Sequence, residues 1–277
     1  MTIKKRSAIL SGIANLLAPV SGHVYVGSPL RGLAILSVGL GTLALFGWLG
    51  ASTALWSFYT VQAFYLVVFF TLIIDGVFIA RKRKNYELKF YNKWYVYMPI
   101  VLLILFTLGI FMAHRGKIVG FDNHKNVSMN MAPILNAGDL IATDTRGYIL
   151  GYTPERGEII TFQYPKDPSV IYVKRVIGLP GEKIAIHSGV PYINGKAIIE
   201  SYVPIESKVK HYSQTMEEVV IPKNHIFVLG DNRDNSNDSR FWGTLPTESV
   251  TGKVTLIWYA KELGRLTEFR GEDEKRI

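Results

Sequence analysis

The chain changes character near residue 113. Before that position, long apolar runs alternate with short basic segments, whereas afterwards short runs of Val, Ile, Tyr and Phe are separated by turn residues. The first pattern is typical of helices that cross a bilayer, and the second is typical of β-strands. We therefore predict a multi-span α-helical membrane anchor in residues 1–113, followed by a mainly-β domain in residues 114–277.

Three apolar runs approach the length of about 20 residues that a helix needs to cross a bilayer. These runs are Gly32–Gly50, Phe58–Ala80 and Tyr95–Ala113. A shorter run, Ser7–Val20, follows three basic residues, as the core of a signal peptide does. Arg31 stands between this run and the first span, which favours a short interfacial or re-entrant segment instead.

Basic residues indicate the orientation of the spans. Residues 4–6 and Arg31 precede the first span, and six further Lys and Arg residues lie between 81 and 93. Because such segments stay on the cytoplasmic side of a membrane, we expect the amino terminus inside and residues 114–277 outside. Much of the net charge of +9 therefore lies at the membrane edges. We expect the lipid bilayer as a partner of the chain and no binding of nucleic acid.

One carboxylate, Asp75, falls inside the second apolar run near its cytoplasmic end. An acid within a membrane can mark a transport path. A single acid near the end of a span more often reaches the lipid headgroups, and we expect that location for Asp75.

The composition excludes several kinds of catalytic site. The chain has no Cys, which removes a thiol nucleophile, a Cys-ligated zinc ion and any disulfide. It contains neither a His-x-x-x-His pair nor a Gly-x-Ser-x-Gly elbow. We therefore expect no metal, no cofactor and no Ser/His/Asp hydrolase.

Eight short segments of the second half have the composition of strands. The predicted strands are Leu140–Asp144, Glu158–Phe162, Ile171–Ile177, Glu182–Ile186, Pro191–Ile193, Val219–Ile221, Ile226–Leu229 and Val254–Tyr259. Asn194 and Gly195 form the pair preferred in a type I′ hairpin turn. No run with helical periodicity is long enough to predict a helix here, and the charged tail Arg270–Ile277 is predicted to be disordered.

Three segments could carry chemistry: 128–139, 172–182 and 230–243. Lys174 lies in a predicted strand among apolar residues. Burial lowers the pKa of a lysine, and a neutral lysine can act as general base for a hydroxyl nucleophile. A solvated lysine on an exposed strand face is the alternative. The polar segment 230–243 lacks EF-hand spacing, and its simplest interpretation is a turn held by Asx bonds and ion pairs.

Together the three segments resemble the type I signal peptidase family of bacterial Ser/Lys proteases. The resemblance covers roughly residues 118–260 and depends on two motifs: Lys-Arg-x-x-Gly-x-Pro-Gly at 174–181 and Gly-Asp-Asn-Arg-Asp-Asn-Ser-x-Asp-Ser-Arg-x-Trp-Gly at 230–243. It implies a mainly-β catalytic domain at the outer face of the bacterial inner (cytoplasmic) membrane. It also implies signal peptides of exported preproteins as substrates, and it raises the translocation machinery as a further partner.

The resemblance also implies roles for individual residues. Lys174 would be the general base, and Ser236 would bond to its amine and orient it. An ion pair between Asp238 and Arg240 would hold the site. The same loop would be braced by two further charged residues, Asp231 and Arg233.

The first motif departs from the family pattern Ser-x-Ser-Met-x-Pro. Its alignment puts Ser128 on the first Ser, an oxyanion-hole residue, and Asn130 on the nucleophile. A carboxamide has no hydroxyl to form an ester intermediate. An inactivating substitution, a natural pseudoenzyme or a shifted nucleophile at Ser128 would each explain the pattern.

Two expectations follow for function. The first is a signal peptidase I, inactive in this form if Asn130 replaces its nucleophile, in which Met131 and Ile134 line pockets for small substrate residues. The alternative is a non-catalytic, membrane-anchored module that binds exported peptides or scaffolds the export machinery.

Overall fold

The computed structural model describes residues 3–50, 53–83, 86–262 and 264–269. The chain divides into two units, one made of residues 1–51 and 56–119 and the other of residues 52–55 and 120–277. The division at residue 119 follows a short helix that continues past the predicted boundary at 113. The tail 270–277, predicted to be disordered, lies outside the described residues.

The first unit is mainly helical. Its helices are α1 (Ala8–Leu17), α2 (Ser21–Tyr25), α3 (Pro29–Trp48), α4 (Leu55–Lys82), α5 (Trp94–Ala113) and α6 (Arg115–Val119), and two short strands, β1 (Ile3–Lys4) and β2 (Tyr86–Glu87), pair antiparallel. Helices α3, α4 and α5 are long and apolar enough to cross a membrane. The three predicted spans are thus confirmed as helices of sufficient length.

The short apolar run before the first span forms a helical hairpin. Helix α1 has ten residues, too few to cross a bilayer, and begins where the Ser7 hydroxyl accepts a bond from the Leu10 N–H. A Cβ added to Gly22 of α2 would lie 2.1 Å from the Ser11 carbonyl oxygen of α1, so glycine permits this close contact. Buried Asn15 completes the hairpin by accepting the Gly22 N–H and donating to the Leu72 carbonyl, both at 2.8 Å.

Asp75, expected to be a single acid near the headgroups, has two polar partners in this structure. Arg31, near the start of α3, donates two hydrogen bonds to the Asp75 carboxylate, at 2.8 and 2.6 Å. His23 Nε2 lies 3.2 Å from the same carboxylate, and its Nδ1 faces the Asn15 amide. Partners from the two helices α2 and α3 thus hold this acid in a polar cluster, where its side chain is 13% exposed.

The second unit is mainly β. Its strands are β3 (Phe121–Lys125), β4 (Leu140–Asp144), β5 (Ile159–Tyr164), β6 (Asp167–Gly178), β7 (Lys183–His187), β8 (Val190–Ile193), β9 (Lys196–Ala197), β10 (Met216–Val220), β11 (His225–Leu229), β12 (Leu245–Pro246), β13 (Val250–Tyr259) and β14 (Thr267–Glu268). The short helices α7 (Arg146–Ile149), α8 (His211–Gln214) and α9 (Ser239–Trp242) lie between strands. A multi-span helical anchor followed by a mainly-β domain is therefore the observed fold class.

These strands form two antiparallel sheets. The larger sheet has the order β12-β11-β6-β5-β13-β4-β3, with β14 paired to β13, and the smaller has the order β10-β7-β8-β9. All eight predicted strands are present with shifted ends, except β4, whose bounds agree. The predicted Asn194-Gly195 turn joins β8 to β9, and both residues have positive φ as a type I′ turn requires.

Candidate active site

Lys174 is buried at the middle of the larger sheet. Its side chain has no exposed area, and its Nζ donates a 3.1 Å bond to the Val173 carbonyl. Burial lowers the pKa of Lys174 to about 8, while the nearby Asp238 and Asp231 carboxylates oppose this shift and Arg240 adds to it. The sequence left open a buried lysine or a solvated one on an exposed strand face. The structure shows that Lys174 is buried.

The segment around Asn130 is fixed through its main chain. The Asn126 amide donates 2.9 Å bonds to the carbonyls of Ser128 and Asn136, which closes the loop. Asn232 binds the same loop from the opposite side, through its N–H to the Asn130 carbonyl and its side-chain amide to the Met129 carbonyl, both at 3.1 Å. The Asn130 side chain takes no part in these contacts, and its Oδ1 is buried without a partner.

Gly230 leaves space for two residues of the site. A Cβ at this position would lie 2.2 Å from Ser236 Oγ and 2.5 Å from the Asn130 carbonyl oxygen. Both distances are too short for any side chain, so the close approach of the two loops requires glycine.

The predicted bond between Ser236 and Lys174 is not formed. Ser236 is largely buried, but its hydroxyl has no hydrogen-bond partner. The Lys174 amine donates to its neighbouring carbonyl instead. The structure thus brings Ser236 to the Asn130 loop without linking it to the base.

The charged residues of segment 230–243 form separate ion pairs. Arg240 donates to both oxygens of Asp238 at 2.8 Å, and Asp238 also accepts the Gly230 N–H at 3.0 Å. Asp231 and Arg233 both lie at this loop, as expected, but they do not pair with each other.

Their partners are two residues to which the sequence assigned no role. Asp231 binds Arg175 in β6, and Arg233 binds Glu200 at 2.5 Å. Arg175 could have been found from strand alternation, because it must face away from its neighbour Lys174. Glu200 lies outside all three motifs, and we find no signal for it in the sequence.

A cleft of about 880 Å³ opens beside these elements. Ser128, Asn130 and Ser236 lie in its wall, together with the exposed apolar residues Val127 and Val170. The other lining residues are His124, Lys125, Asn126, Ile171, Tyr172, Val173, Lys210, Tyr212, Asp234, Asn235, Asn237 and Phe241. The lining of the cleft is therefore partly polar and partly apolar.

Met131 does not line this cleft. Its side chain has no exposed area and packs in a core cluster with Leu135 and Ile141, and Ile134 packs against the same cluster. Neither Met131 nor Ile134, the expected substrate contacts, is therefore among the residues that line this cleft, because both pack toward the core. The apolar residues of β6, which the sequence did not single out, occupy the wall instead.

Strand β6 has one free edge beside the cleft. It pairs with β5 along Asp167–Arg175, but β11 pairs with it at Arg175, Val176 and Gly178. Within the described chain, no strand covers the second edge of residues 167–174. Such an edge can accept an extended peptide as an additional strand. No group of His and acidic residues that could hold a metal ion occurs among the described residues.

Part of the chain matches a known protein family. Residues 93–259 match the family described as signal peptidase, peptidase S26. The chain belongs to the signal peptidase family. The match includes Lys174, Asn130 and segment 230–243, which confirms the resemblance seen in the motifs, and it leaves helices α1–α4 outside.

Individual members of the signal peptidase family show the same similarity. Signal peptidase I of Pseudomonas fluorescens is 28% identical over 66% of this chain and 77% of its own length. Signal peptidase IB of Staphylococcus aureus is 33% identical over 60% of this chain and 88% of its own. A solved signal peptidase I from Enterococcus faecalis is 35% identical, with 37% of this chain and 97% of that one covered and a TM-score of 0.34.

Proposed function

We propose that this chain is a type I signal peptidase whose cleft receives signal peptides but cannot cleave them while Asn130 is in place. The observation that carries the proposal is the buried Lys174, whose preceding residues in β6, Tyr172 and Val173, line the same cleft as Ser128 and Asn130. These residues supply a base and an oxyanion donor, and the carboxamide supplies no hydroxyl.

The chemistry follows once position 130 carries serine. The serine hydroxyl would pass its proton to the neutral Lys174 amine and attack the substrate carbonyl. The Lys174 ammonium would then give this proton to the leaving nitrogen, so that the C–N bond breaks, the ester forms and the new amino terminus is released. The Ser128 hydroxyl and the N–H of residue 130 would stabilise the oxyanion. Water would then hydrolyse the ester with Lys174 again acting as base.

The substrate would bind as an extended strand. Residues 167–174 of β6 offer free main-chain groups, and alternate side chains of such a strand enter a wall or point to solvent. Val127, Val170 and Ile171 are the apolar wall residues that we propose to contact the small residues before the cleavage site. A bulky residue next to that site is expected to prevent processing by an active version.

One gel tests the catalytic assignment. A preprotein is incubated in detergent with the chain as given, with Asn130→Ser and with Ser128→Ala. We expect cleavage by Asn130→Ser alone. Cleavage by the chain as given, lost in Ser128→Ala, would instead identify Ser128 as the nucleophile. Adding Ser128→Ala to Asn130→Ser should slow the reaction by about 10²–10³-fold, the usual effect of losing one oxyanion donor.

The second candidate is a module that binds exported peptides or scaffolds the export machinery without any catalysis. Asn130 favours this non-catalytic candidate, because an asparagine has no hydroxyl nucleophile and the main-chain bonds of the surrounding loop are still formed. A folded but inert Asn130→Ser protein that still binds signal peptides would support this candidate over the first.

For the location, we propose a multi-pass protein of the bacterial inner membrane with residues 114–277 at its outer face. The apolar helices and the flanking basic residues support this orientation. A reporter enzyme that works only outside the cytoplasm is fused after Lys196. We expect it to be active. Activity of a cytoplasmic reporter at the same position would contradict the orientation.

A further inference from the structure

The cleft presents hydrogen-bond donors that no group of the described chain uses. These donors are the Ser128 hydroxyl, the Asn130 main-chain N–H and the Asn130 carboxamide nitrogen, for none of which a described residue acts as acceptor. Ser236 Oγ, in the same wall, is buried and also without a partner. Buried polar groups are normally bonded, so this wall is suited to a polar ligand.

The cleft also carries more positive than negative charge. Lys125 and Lys210 line it, and neither forms a salt bridge with a described carboxylate. Lys210 donates to the main-chain oxygen of Asp234 at 3.0 Å. Asp234, the one acid among the lining residues, accepts the N–H groups of Val209 and Lys210 through its two oxygens. The field in the cleft therefore favours an anion.

Lys174 lies near this wall without lining the cleft. It is buried in β6 directly after Val173, which does line the cleft, and the nearby Asp238 and Asp231 carboxylates offset its charge. The positive charge offered to an anion in the cleft therefore comes from Lys125 and Lys210.

We propose that the cleft retains peptides by a free terminal carboxylate, which accepts hydrogen bonds from the Ser128 hydroxyl and the Asn130 main-chain N–H. Lys125 and Lys210 supply the attracting charge at the rim. The proposal rests on the proposed function, because it takes the ligand to be the carboxyl end of a peptide bound along β6. Such an end arises when a signal peptide is cut by a working peptidase.

A carboxylate fits this wall better than the carbonyl of an uncut peptide. Both would bind at the proposed oxyanion donors, but a charged acceptor forms hydrogen bonds roughly twice as strong as a neutral one. A carbonyl would also leave Lys125 without an opposite charge from a described salt-bridge partner, whereas Lys210 already lies near Asp234. The site therefore distinguishes a cleaved peptide from an intact one by a single atom and its charge.

Two labelled peptides test the proposal. They share one sequence ending in Ala, and one has a free carboxylate while the other has a carboxamide. Binding to the full chain in detergent is measured by fluorescence anisotropy. We expect the free carboxylate to bind about tenfold more tightly, as a hydrogen bond to a charged group predicts. Salt should reduce the ratio, because the rim lysines are exposed to solvent.

Variants assign the preference to named groups. The ratio of the two affinities should fall toward one in the double variant Lys125→Gln/Lys210→Gln. It should also fall toward one in Ser128→Ala. Lys196→Gln removes the same charge from an exposed position in β9, outside the cleft, and should leave the ratio unchanged. An equal loss in Lys196→Gln would show a general charge effect and contradict the site.

The outcomes separate this inference from the proposed function. If both peptides bind equally while Asn130→Ser cleaves a preprotein, the carboxylate site is wrong and the peptidase assignment stands. If the free carboxylate is preferred while a folded Asn130→Ser is inert, the site stands and the peptidase assignment fails. An amidated peptide with an internal Asp that binds as tightly as the free carboxylate would overturn the preference for a terminus.

Discussion

Arg175 donates two hydrogen bonds to the Asp231 carboxylate, at 2.9 and 2.7 Å, and so joins strand β6 to the loop that follows β11. The same guanidinium donates to the Gly157 carbonyl at 2.8 Å and lies 4.0 Å from the centre of the Tyr202 ring. Both charged side chains are almost completely buried. The residue after the proposed base thus fixes the loop that contains Ser236.

Removing one member of this pair should be costly. Asp231→Asn leaves the buried guanidinium without its countercharge, and we expect a loss of about 3–5 kcal/mol in the free energy of unfolding. Denaturant unfolding of the solubilised chain measures it. Lys183→Gln is the matched control, because the exposed Lys183–Glu218 pair at 3.1 Å should contribute less than about 1 kcal/mol. Equal effects of the two variants would contradict the structural role of Asp231.

Lys174 should lower the stability of the fold at neutral pH. Its pKa is about 8 in the folded chain and near 10.5 when unfolded, so between these values the unfolded state binds more protons and stability rises with pH. Below pH 8 the buried Lys174 lowers the free energy of unfolding by its full amount, about 3 kcal/mol for a pKa difference of this size. Lys174→Met should therefore raise the melting temperature at pH 7, with a gain that shrinks toward pH 10. A gain independent of pH would show that packing, not charge, is responsible.

The rate of an Asn130→Ser enzyme should depend on the same proton. Only the neutral amine accepts the serine proton, so single-turnover cleavage should increase with pH and level off above about 8. Adding Lys174→Met should abolish cleavage at every pH while the protein stays folded. A rate that is flat between pH 6 and 9 would exclude Lys174 as the base.

The cluster around Asp75 should stabilise the helical unit. Asp75→Asn removes the charge that Arg31 and His23 bind, and we expect a lower temperature of aggregation in detergent. Arg31→Gln should have a similar effect, and the double variant should lose less than the sum, with a coupling of about 0.5–3 kcal/mol. Arg81→Gln, an exposed charge on the same helix as Asp75, is the control. Strict additivity would contradict an energetic link between the two residues.

Local patterns were sufficient for much of this fold. The spans and the strands β4–β8 are visible because their apolar residues follow the periodicity of the elements, and the Asn194-Gly195 turn follows from φ preferences. Strand β3 was missed because Phe121–Lys125 is largely polar and lies at the edge of the sheet, where one neighbour suffices. An edge strand carries a weak apolar signal.

Long-range contacts were beyond the sequence. Arg233 and Glu200 are separated by a connection without periodicity, and nothing local indicates that they meet. Asp75 was interpreted as a single acid because its partners, Arg31 and His23, lie about fifty positions earlier. For Met131, the motif suggested a substrate contact, but the turn of the loop decides which face its side chain occupies.

The loop around residue 130 is held by the main-chain oxygen of Asn130 rather than by its side chain. Codons for Asn and Ser can differ by a single base, so under the proposed function one transition would separate an inactive site from a reactive one. Because the backbone contacts tolerate either residue, such an exchange carries little structural penalty in either direction. If position 130 holds the nucleophile as proposed, a lineage carrying this protein could lose proteolysis and recover it while the fold stays the same.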